Sequence, residues 1–458
     1  MGNRRPGMVT FSIFDAARDA PNQVAVAGAV RWTYTELAEQ VDRWISGSVG
    51  RPYPPVPLVA VVPQLDAPSL VAIHGLLTLG VPMVMVHPRY TPREREHVIR
   101  ASGASWLCDR GRMEPVVPSE LAPPPDGTLA IVATSGTTGR PKLAVLSRDA
   151  FAASARSSEA NLGWQAEDRW LLSMPLSHVG GLSVVTRTLL ARRALVLPPP
   201  GGFDEAALLQ TVEQHGVTLM SLVPTMLHRL VSAGVGSRPQ VRAVLLGGAP
   251  ASSDLVARAL ALGWPILTTY GLTEACSQVA TCRLDQDAVE AGVGAPLPGF
   301  EVRLVDGQIW IRGSALMSGY LGEPSPFLEG GWLPTGDLGF WDESGNLHVR
   351  GRRSDLIISG GENVYPAEVE AALRACPGID AVCVFGVDDP VWGQRVALAV
   401  VGQVEIEELA RYCDERLAPH RRPRLFCRLP SLTTLGSGKV DRKATIEVAG
   451  PMLRPLNR

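Results

Sequence analysis

Leu129-Ala-Ile-Val-Ala-Thr134-Ser-Gly-Thr-Thr-Gly-Arg-Pro-Lys142-Leu-Ala-Val-Leu146 is the stretch on which the fold turns. Leu129 to Ala133 is an apolar run of strand length, and strand character resumes at Ala144 to Leu146. Between them, six of the nine residues from 134 to 142 are Ser, Thr or Gly. Such a loop offers hydroxyls and unobstructed backbone N–H groups, the donors that phosphate oxygens require. The G-x-x-x-x-G-K-[ST] arrangement does not apply, because Pro141 stands where the second glycine belongs and Leu143 follows the lysine. Thr134, Ser135, Gly136, Thr137, Thr138 and Lys142 are therefore the candidate phosphate ligands.

Outward from this loop, short Val-, Leu- and Ile-rich runs alternate with helical patterns from residue 9 to about 350: Leu58 to Val62, Ala194 to Leu197 and Val241 to Leu246 read as strands. That alternation predicts an α/β architecture with mostly parallel, buried strands. Pro68 to Val86 resembles a membrane span in length, but it holds His74 and is broken by Gly80 and Pro82. It predicts a buried helix followed by a core strand over Pro82 to His87. Gly307 to Arg312, Gly331 to Phe340 and Asn346 to Arg350 predict a β-rich subdomain. The pattern restarts after Gly351, with helices over Pro366 to Ala375 and Ile406 to Leu417. Strands follow at Ala381 to Gly386, Val396 to Val401 and Arg424 to Leu429, enough for a small α+β domain. The expected division is a large domain over 1–352, a hinge at 353–355 and a small domain over 356–458.

Composition narrows the function. The 458 residues carry 43 Lys+Arg against 45 Asp+Glu, a net charge of -2, with no long like-charge run, so nucleic acid is an unexpected partner. Apolar residues make up 46%, which supports a full core. Seven cysteines with no C-x-x-C pair argue against a disulfide framework or a structural zinc site. The first 22 residues hold no apolar run of signal-peptide length, and a cytoplasmic setting is expected. Of the 43 basic residues only Lys142, Lys439 and Lys443 are lysine. Codon bias explains the arginines; a lysine kept in that background can mark a need for a compact, mobile ammonium. Lys443 has no motif around it and reads as surface.

Six segments in order resemble the adenylate-forming superfamily of acyl-CoA ligases, luciferases and peptide-synthetase adenylation domains. They are the 134–142 loop, Thr269-Tyr-Gly-Leu-Thr-Glu274, Thr335-Gly-Asp337, Gly351-Arg352, Gly360-Gly-Glu-Asn-Val-Tyr-Pro366 and Gly436-Ser-Gly-Lys439. The resemblance implies ATP, Mg²⁺ and CoA as co-substrates or cofactors. A carboxylate at Glu274 suits Mg²⁺ held against phosphates. Asp337, in a tight Thr-Gly-Asp turn, can accept both hydroxyls of a ribose, and the family's pattern puts Arg352 near the ribose or phosphate. Thr269, Tyr270, Gly271 and Thr273 belong to the same ATP site, and Gly248-Ala249-Pro250 matches the segment lining the adenine. Lys439 sits in a glycine-flanked loop, where a mobile cation can stabilise charge on the α-phosphate. The family's small domain rotates about Ser354 or Asp355, withdrawing Lys439 and bringing Gly360 and Gly361 towards the pantetheine channel.

Pro175-Leu-Ser-His178-Val-Gly-Gly-Leu-Ser183, Thr273-Glu-Ala-Cys276-Ser277-Gln278 and Ser359 to Pro366 are most similar to the o-succinylbenzoate-CoA ligases of menaquinone biosynthesis. That acid has two carboxylates: the succinyl one is activated and the ring one has to be recognised, for which a buried cation is expected. Arg187, nine residues after His178 on a helix, is the candidate. His178 is placed as a gate or acid contact with a catalytic role, and Ser277 and Gln278 at the far end of the acyl pocket. Two alternatives stay open. A ligase for another aryl or medium-chain acid would differ around His178, Arg187 and Ser277; an idle nucleotide-binding protein would have lost Lys439, Glu274 or the 134–142 loop, and none is lost. The partners expected are small molecules, with no membrane span, and a homo-oligomer is possible.

Overall fold

The computed structural model describes residues 10–48, 58–117, 123–134, 142–434 and 440–456. Ser135 to Thr138 and Lys439, named above, lie outside the described residues.

Four sheets carry the described chain. In the first, strands Ile266–Leu272, Ala243–Leu246, Leu219–Leu222, Arg169–Leu171, Ala194–Leu197 and Val24–Gly28 lie side by side, all parallel. Antiparallel strands close both edges. In the second, Thr128–Thr134, Met83–Met85, Val59–Val62 and Trp106–Asp109 are parallel. Lys142–Ser147 returns antiparallel beside Thr128–Thr134 and pairs in turn with Gly319–Tyr320. Four antiparallel strands from Phe300–Val305 to Leu347–Arg352 form the third sheet, as the β-rich reading expected.

One apolar core joins the first two sheets through helices that are buried on all sides. Ala67–Leu79 is such a helix: every residue from Ser69 to Leu77 is buried, so it has no polar face to expose. Asp66 caps its start by accepting from Ser69 N–H, and Gly80 ends it at φ 75°, a conformation glycine adopts without strain. Val179–Ala191 is the second, buried from Gly181 to Leu189. Gly181 admits no side chain, since a Cβ there would stand 2.2 Å from the Pro175 carbonyl oxygen. The start of this helix is thus pressed against the segment that delivers His178.

The fourth sheet holds the residues after Arg353. The two strands expected at 381–386 and 396–401 are a longer hairpin, Ile379–Asp389 with Gly393–Gly402. The two apolar faces of this sheet are covered separately, by Pro366–Leu373 and Ile406–Arg416 on one side and by Arg442–Ala449 on the other. Arg353–Asp355 is a single 3₁₀ turn between the third sheet and the fourth. Among the described residues no helix is long and apolar enough to cross a membrane, and all seven cysteines are free and buried.

Candidate active site

The carboxyl ends of parallel strands in open α/β sheets are where ligands settle, and the sequence-derived residues collect there. Thr134 ends its strand opposite Lys142, which starts the next, so the two bracket the donor-rich loop. The Lys142 ammonium lies 5.0 Å from the centre of the Tyr320 ring and 3.6 Å from a Glu323 carboxylate oxygen. Tyr320 in turn donates its hydroxyl proton to Glu274 Oε1 at 2.7 Å. Burial, then the Glu274 charge, raise the Tyr320 hydroxyl above its ordinary range and keep it a donor. The backbone carbonyl of Glu274 accepts from Met317 N–H at 2.8 Å, which ties the turn to the second sheet's edge. A single carboxylate beside a phosphate loop suits Mg²⁺, which keeps several waters and takes the rest of its oxygens from phosphates.

A second corner forms around Asp337, 6% exposed. Its Oδ2 accepts from Tyr270 Oη at 2.6 Å and its Oδ1 lies 2.8 Å from Arg352 Nε. Asp337 and Arg352 face each other across adjacent antiparallel strands, and Arg352 also donates to the Thr335 carbonyl at 3.0 Å. Burial and the adjacent carboxylate hold Tyr270 well above the usual tyrosine range, so it too stays protonated. The carboxylate expected to bind a ribose is thus held by a phenol and a guanidinium from either side.

Gly248, Ala249 and Pro250 are exposed just past the strand Ala243–Leu246. Gly247 cannot carry a side chain here, because a Cβ would stand 2.7 Å from Thr269 Cγ2. Thr269 itself is tied down, donating to the Ala280 carbonyl at 2.9 Å and sharing a hydrogen bond with Thr281 at 2.8 Å. Gly271 closes a tighter turn, with a would-be Cβ 1.8 Å from the Ser277 carbonyl oxygen. Across that turn Cys276 and Ser277 both take positive φ, 50° and 100°. Two strained non-glycine residues in succession, at about 1–3 kcal/mol each, are a feature that functional sites concentrate.

The strained turn faces Arg187. This side chain is 4% exposed; its Nη2 donates to Ser154 Oγ at 3.2 Å, and Ser154 Oγ donates to the Cys276 carbonyl at 2.7 Å. The guanidinium carbon lies 5.7 Å from the Trp170 ring centre, and Nε has no partner. Among the described residues no carboxylate pairs with Arg187. Desolvation accordingly lowers it to about 10. Gln278 is buried with its amide donating to Thr281 Oγ1 at 2.8 Å and its Oε1 unpartnered. His178 is half-buried at the start of Val179–Ala191, its ring 5.2 Å from that of His87.

In the fourth sheet Gly360 and Gly361, at φ 60° and 84°, form the two-residue turn between Ile357–Ser359 and Glu362–Val364. Gly360 N–H donates to the Trp392 carbonyl at 2.8 Å, and the Arg424 guanidinium lies over the Trp392 ring at 3.9 Å. Val391 and Ile358 are exposed beside that stack. On either side of residues 435–439, Thr434 bridges Val440, and Asp441 caps Arg442–Ala449. Arg442 reaches Glu370 at 2.6 Å, Asp355 at 3.3 Å and the Val384 carbonyl. Burial alone would lower this guanidinium; Glu370, Cys383 and Asp355 outweigh it and raise it.

Tyr320, Glu323, Ser154, Trp392, Arg424 and Arg442 were not found from the sequence. Each is an ordinary residue in its own segment, and only tertiary proximity gives it a place.

The chain matches the AMP-binding enzyme family over residues 13–118 and 109–321. It matches the AMP-binding enzyme C-terminal domain over residues 368–439. A 2-succinylbenzoate–CoA ligase from Bacillus pumilus is 32% identical over 449 residues, covering 90% of this chain and 92% of that protein. The o-succinylbenzoate CoA synthetase of Bacillus subtilis in complex with the acyl-adenylate intermediate superposes with a TM-score of 0.85 at 31% identity, covering 94% and 96% of the two chains. The same synthetase with ATP and magnesium ion gives a TM-score of 0.84 at 31% identity, over 94% and 98%.

Proposed function

The chain belongs to the AMP-binding enzyme family and, within it, to the 2-succinylbenzoate–CoA ligases, and from that premise we propose how its residues carry the reaction. It is an ATP-dependent, AMP-forming acid–thiol ligase. The succinyl carboxylate of 2-succinylbenzoate attacks the α-phosphorus of ATP and pyrophosphate leaves. The thiolate of CoA then attacks the acyl carbonyl and AMP leaves.

In this reading the 134–142 loop and Lys142 hold the β- and γ-phosphates, and Asp337 accepts the ribose hydroxyls with Arg352 beside it. Thr269, Tyr270, Gly271 and Thr273, with Gly248 to Pro250, complete the nucleoside side. Glu274, oriented by Tyr320, would hold Mg²⁺, which supplies charge neutralisation on the phosphates. Lys439 adds a cation to the α-phosphate during adenylation. Residues 1–352 form the adenylation domain and 356–458 the mobile one, turning at 353–355. After the turn, Gly360 and Gly361 come to the thiol channel, and the Trp392–Arg424 stack offers an aromatic face and a cation to the nucleotide end of CoA. Free buried cysteines and dependence on ATP suit the cytoplasm.

The observation that carries the choice of acid is Arg187: a buried guanidinium with an unpartnered Nε and, among the described residues, no carboxylate of its own, placed against the strained Cys276–Ser277 turn. Burying such a charge is costly unless an anion completes it, and the second carboxylate of 2-succinylbenzoate is that anion. In this reading His178 gates the route by which the CoA thiol reaches the acyl carbon. The test is pyrophosphate release with ATP and Mg²⁺ for 2-succinylbenzoate, benzoate, phenylpropanoids and medium-chain fatty acids, with and without CoA. Turnover confined to 2-succinylbenzoate is the expected result. Preference for a monocarboxylic acid would remove both the substrate and the role of Arg187.

A further inference from the structure

His87 lies at the junction of the two large sheets and has no part in the scheme above. It stands two residues past the strand Met83–Met85, which runs parallel to Thr128–Thr134 with Met85 opposite Val132. Counting on two residues brings His87 level with Thr134, at the edge where the phosphate loop begins. His178 comes from the other sheet, at the start of Val179–Ala191. Their rings meet at 5.2 Å between centroids, tilted by 53°, and Tyr90 closes the far side of His87 at 5.6 Å. Two imidazoles, one just past a strand of the second sheet and one at the start of a buried helix, thus pack against each other.

The state of His87 is fixed by its surroundings. The ring is 6% exposed, and its Nδ1 accepts the backbone N–H of Arg89 at 3.0 Å, which leaves the proton of the neutral ring on Nε2. Burial, then the Arg89 charge, lower its basicity and keep it neutral. A neutral ring with its proton on Nε2, held by the Arg89 backbone and packed near Tyr90, cannot accept a proton at Nε2 and presents a buried wall to His178. His178 is more exposed, and its ring packs on that of His87 at 5.2 Å, so the wall presented by His87 bears on where the His178 ring rests.

We propose that His87 is a positioning residue for thioester formation: by packing against His178 it sets the orientation in which that ring admits the CoA thiol. This rests on the placement of His178 given above. The test is a double-mutant cycle of His87→Ala, His178→Ala and the pair. Thioester formation from supplied acyl-adenylate is followed against CoA concentration, and pyrophosphate release is measured separately. His87→Ala should lower kcat/KM for CoA about tenfold and adenylation much less, and in the His178→Ala background it should cost about twofold or less. His87→Phe, which keeps a ring against His178, should recover most of the loss. Additive losses, an equal fall in both half-reactions, or a His87→Phe enzyme as poor as His87→Ala would overturn the proposal. Failure of the unaltered enzyme to adenylate 2-succinylbenzoate would instead overturn the proposed function, and this inference with it.

Discussion

Replacing Arg187 by methionine separates two roles that a buried arginine can have. If its purpose were to hold the fold, removing it would destabilise the protein. The structure argues the opposite: among the described residues no carboxylate pairs with the guanidinium, desolvation lowers it to about 10, and a shift of that size costs the folded state on the order of 3 kcal/mol at neutral pH. The sign follows from the direction: a base whose folded pKa is depressed destabilises the fold wherever it is charged in both states. Methionine keeps helix propensity and an unbranched shape while removing that cost, against which one hydrogen bond to Ser154 and packing on Trp170 are lost. The Arg187→Met protein should therefore melt at or above the temperature of the parent. Its KM for 2-succinylbenzoate should rise about tenfold to a hundredfold, the worth of a charge-assisted hydrogen bond of ~1.5–3 kcal/mol, with KM for ATP within about twofold by the same reasoning. Thermal unfolding and pyrophosphate-release kinetics read the two quantities. A fall of several degrees with an unchanged acid KM would refute the reasoning and make Arg187 a structural residue.

Tyr320→Phe removes the donor that orients Glu274, and the Mg²⁺ concentration giving half-maximal adenylation should rise about tenfold; an unchanged Mg²⁺ dependence would detach Tyr320 from the metal. Arg442→Ala removes the 2.6 Å partner of buried Glu370 and leaves it only the 3.8 Å contact to Arg374, so residues after Arg353 should lose about 3 kcal/mol of stability in chemical denaturation; an unaltered midpoint would mean that Arg374 alone compensates Glu370. Trp392→Ala should raise KM for CoA about tenfold if one base stacks there, at ~1–3 kcal/mol per stacked base, and an unchanged KM would remove the ring from the CoA site.

The elements that were legible in sequence are those with a strong local signal. The run Leu129 to Ala133 and the helix of 67–79 announce themselves through continuous apolar character and through Gly80 and Pro82 at the junction. Thr134 and Lys142 were singled out because a glycine- and hydroxyl-rich turn concentrates donors in a few consecutive residues, and Glu274 and Asp337 because the turns that carry them resemble the family's. What escaped depends on closure of the chain over long distances. Tyr320 reaches Glu274 from 46 residues away, and Tyr270 reaches Asp337 across 67. Arg442 is 72 residues from Glu370. His87 escaped for a related reason: at the end of the strand expected over Pro82 to His87 it looks like an ordinary strand end, and only its meeting with His178, 91 positions further along the chain, marks it. The two strands of the 379–402 hairpin were recognised but cut short, because its polar ends, Asp388, Asp389 and Gln394, break the apolar run while the ladder continues to Asp389 and Gly393.

The central claim is that one chain performs two chemically distinct steps on 2-succinylbenzoate. The most direct measurement mixes enzyme, ATP, Mg²⁺ and the acid without CoA, quenches in acid and analyses the products by mass spectrometry, then repeats the quench after CoA is added. The account predicts an acyl-adenylate in an amount comparable to the enzyme before CoA, and its conversion to the thioester with release of AMP afterwards. Thioester formation with ADP and phosphate as products, or no acyl-adenylate at any time, would contradict it.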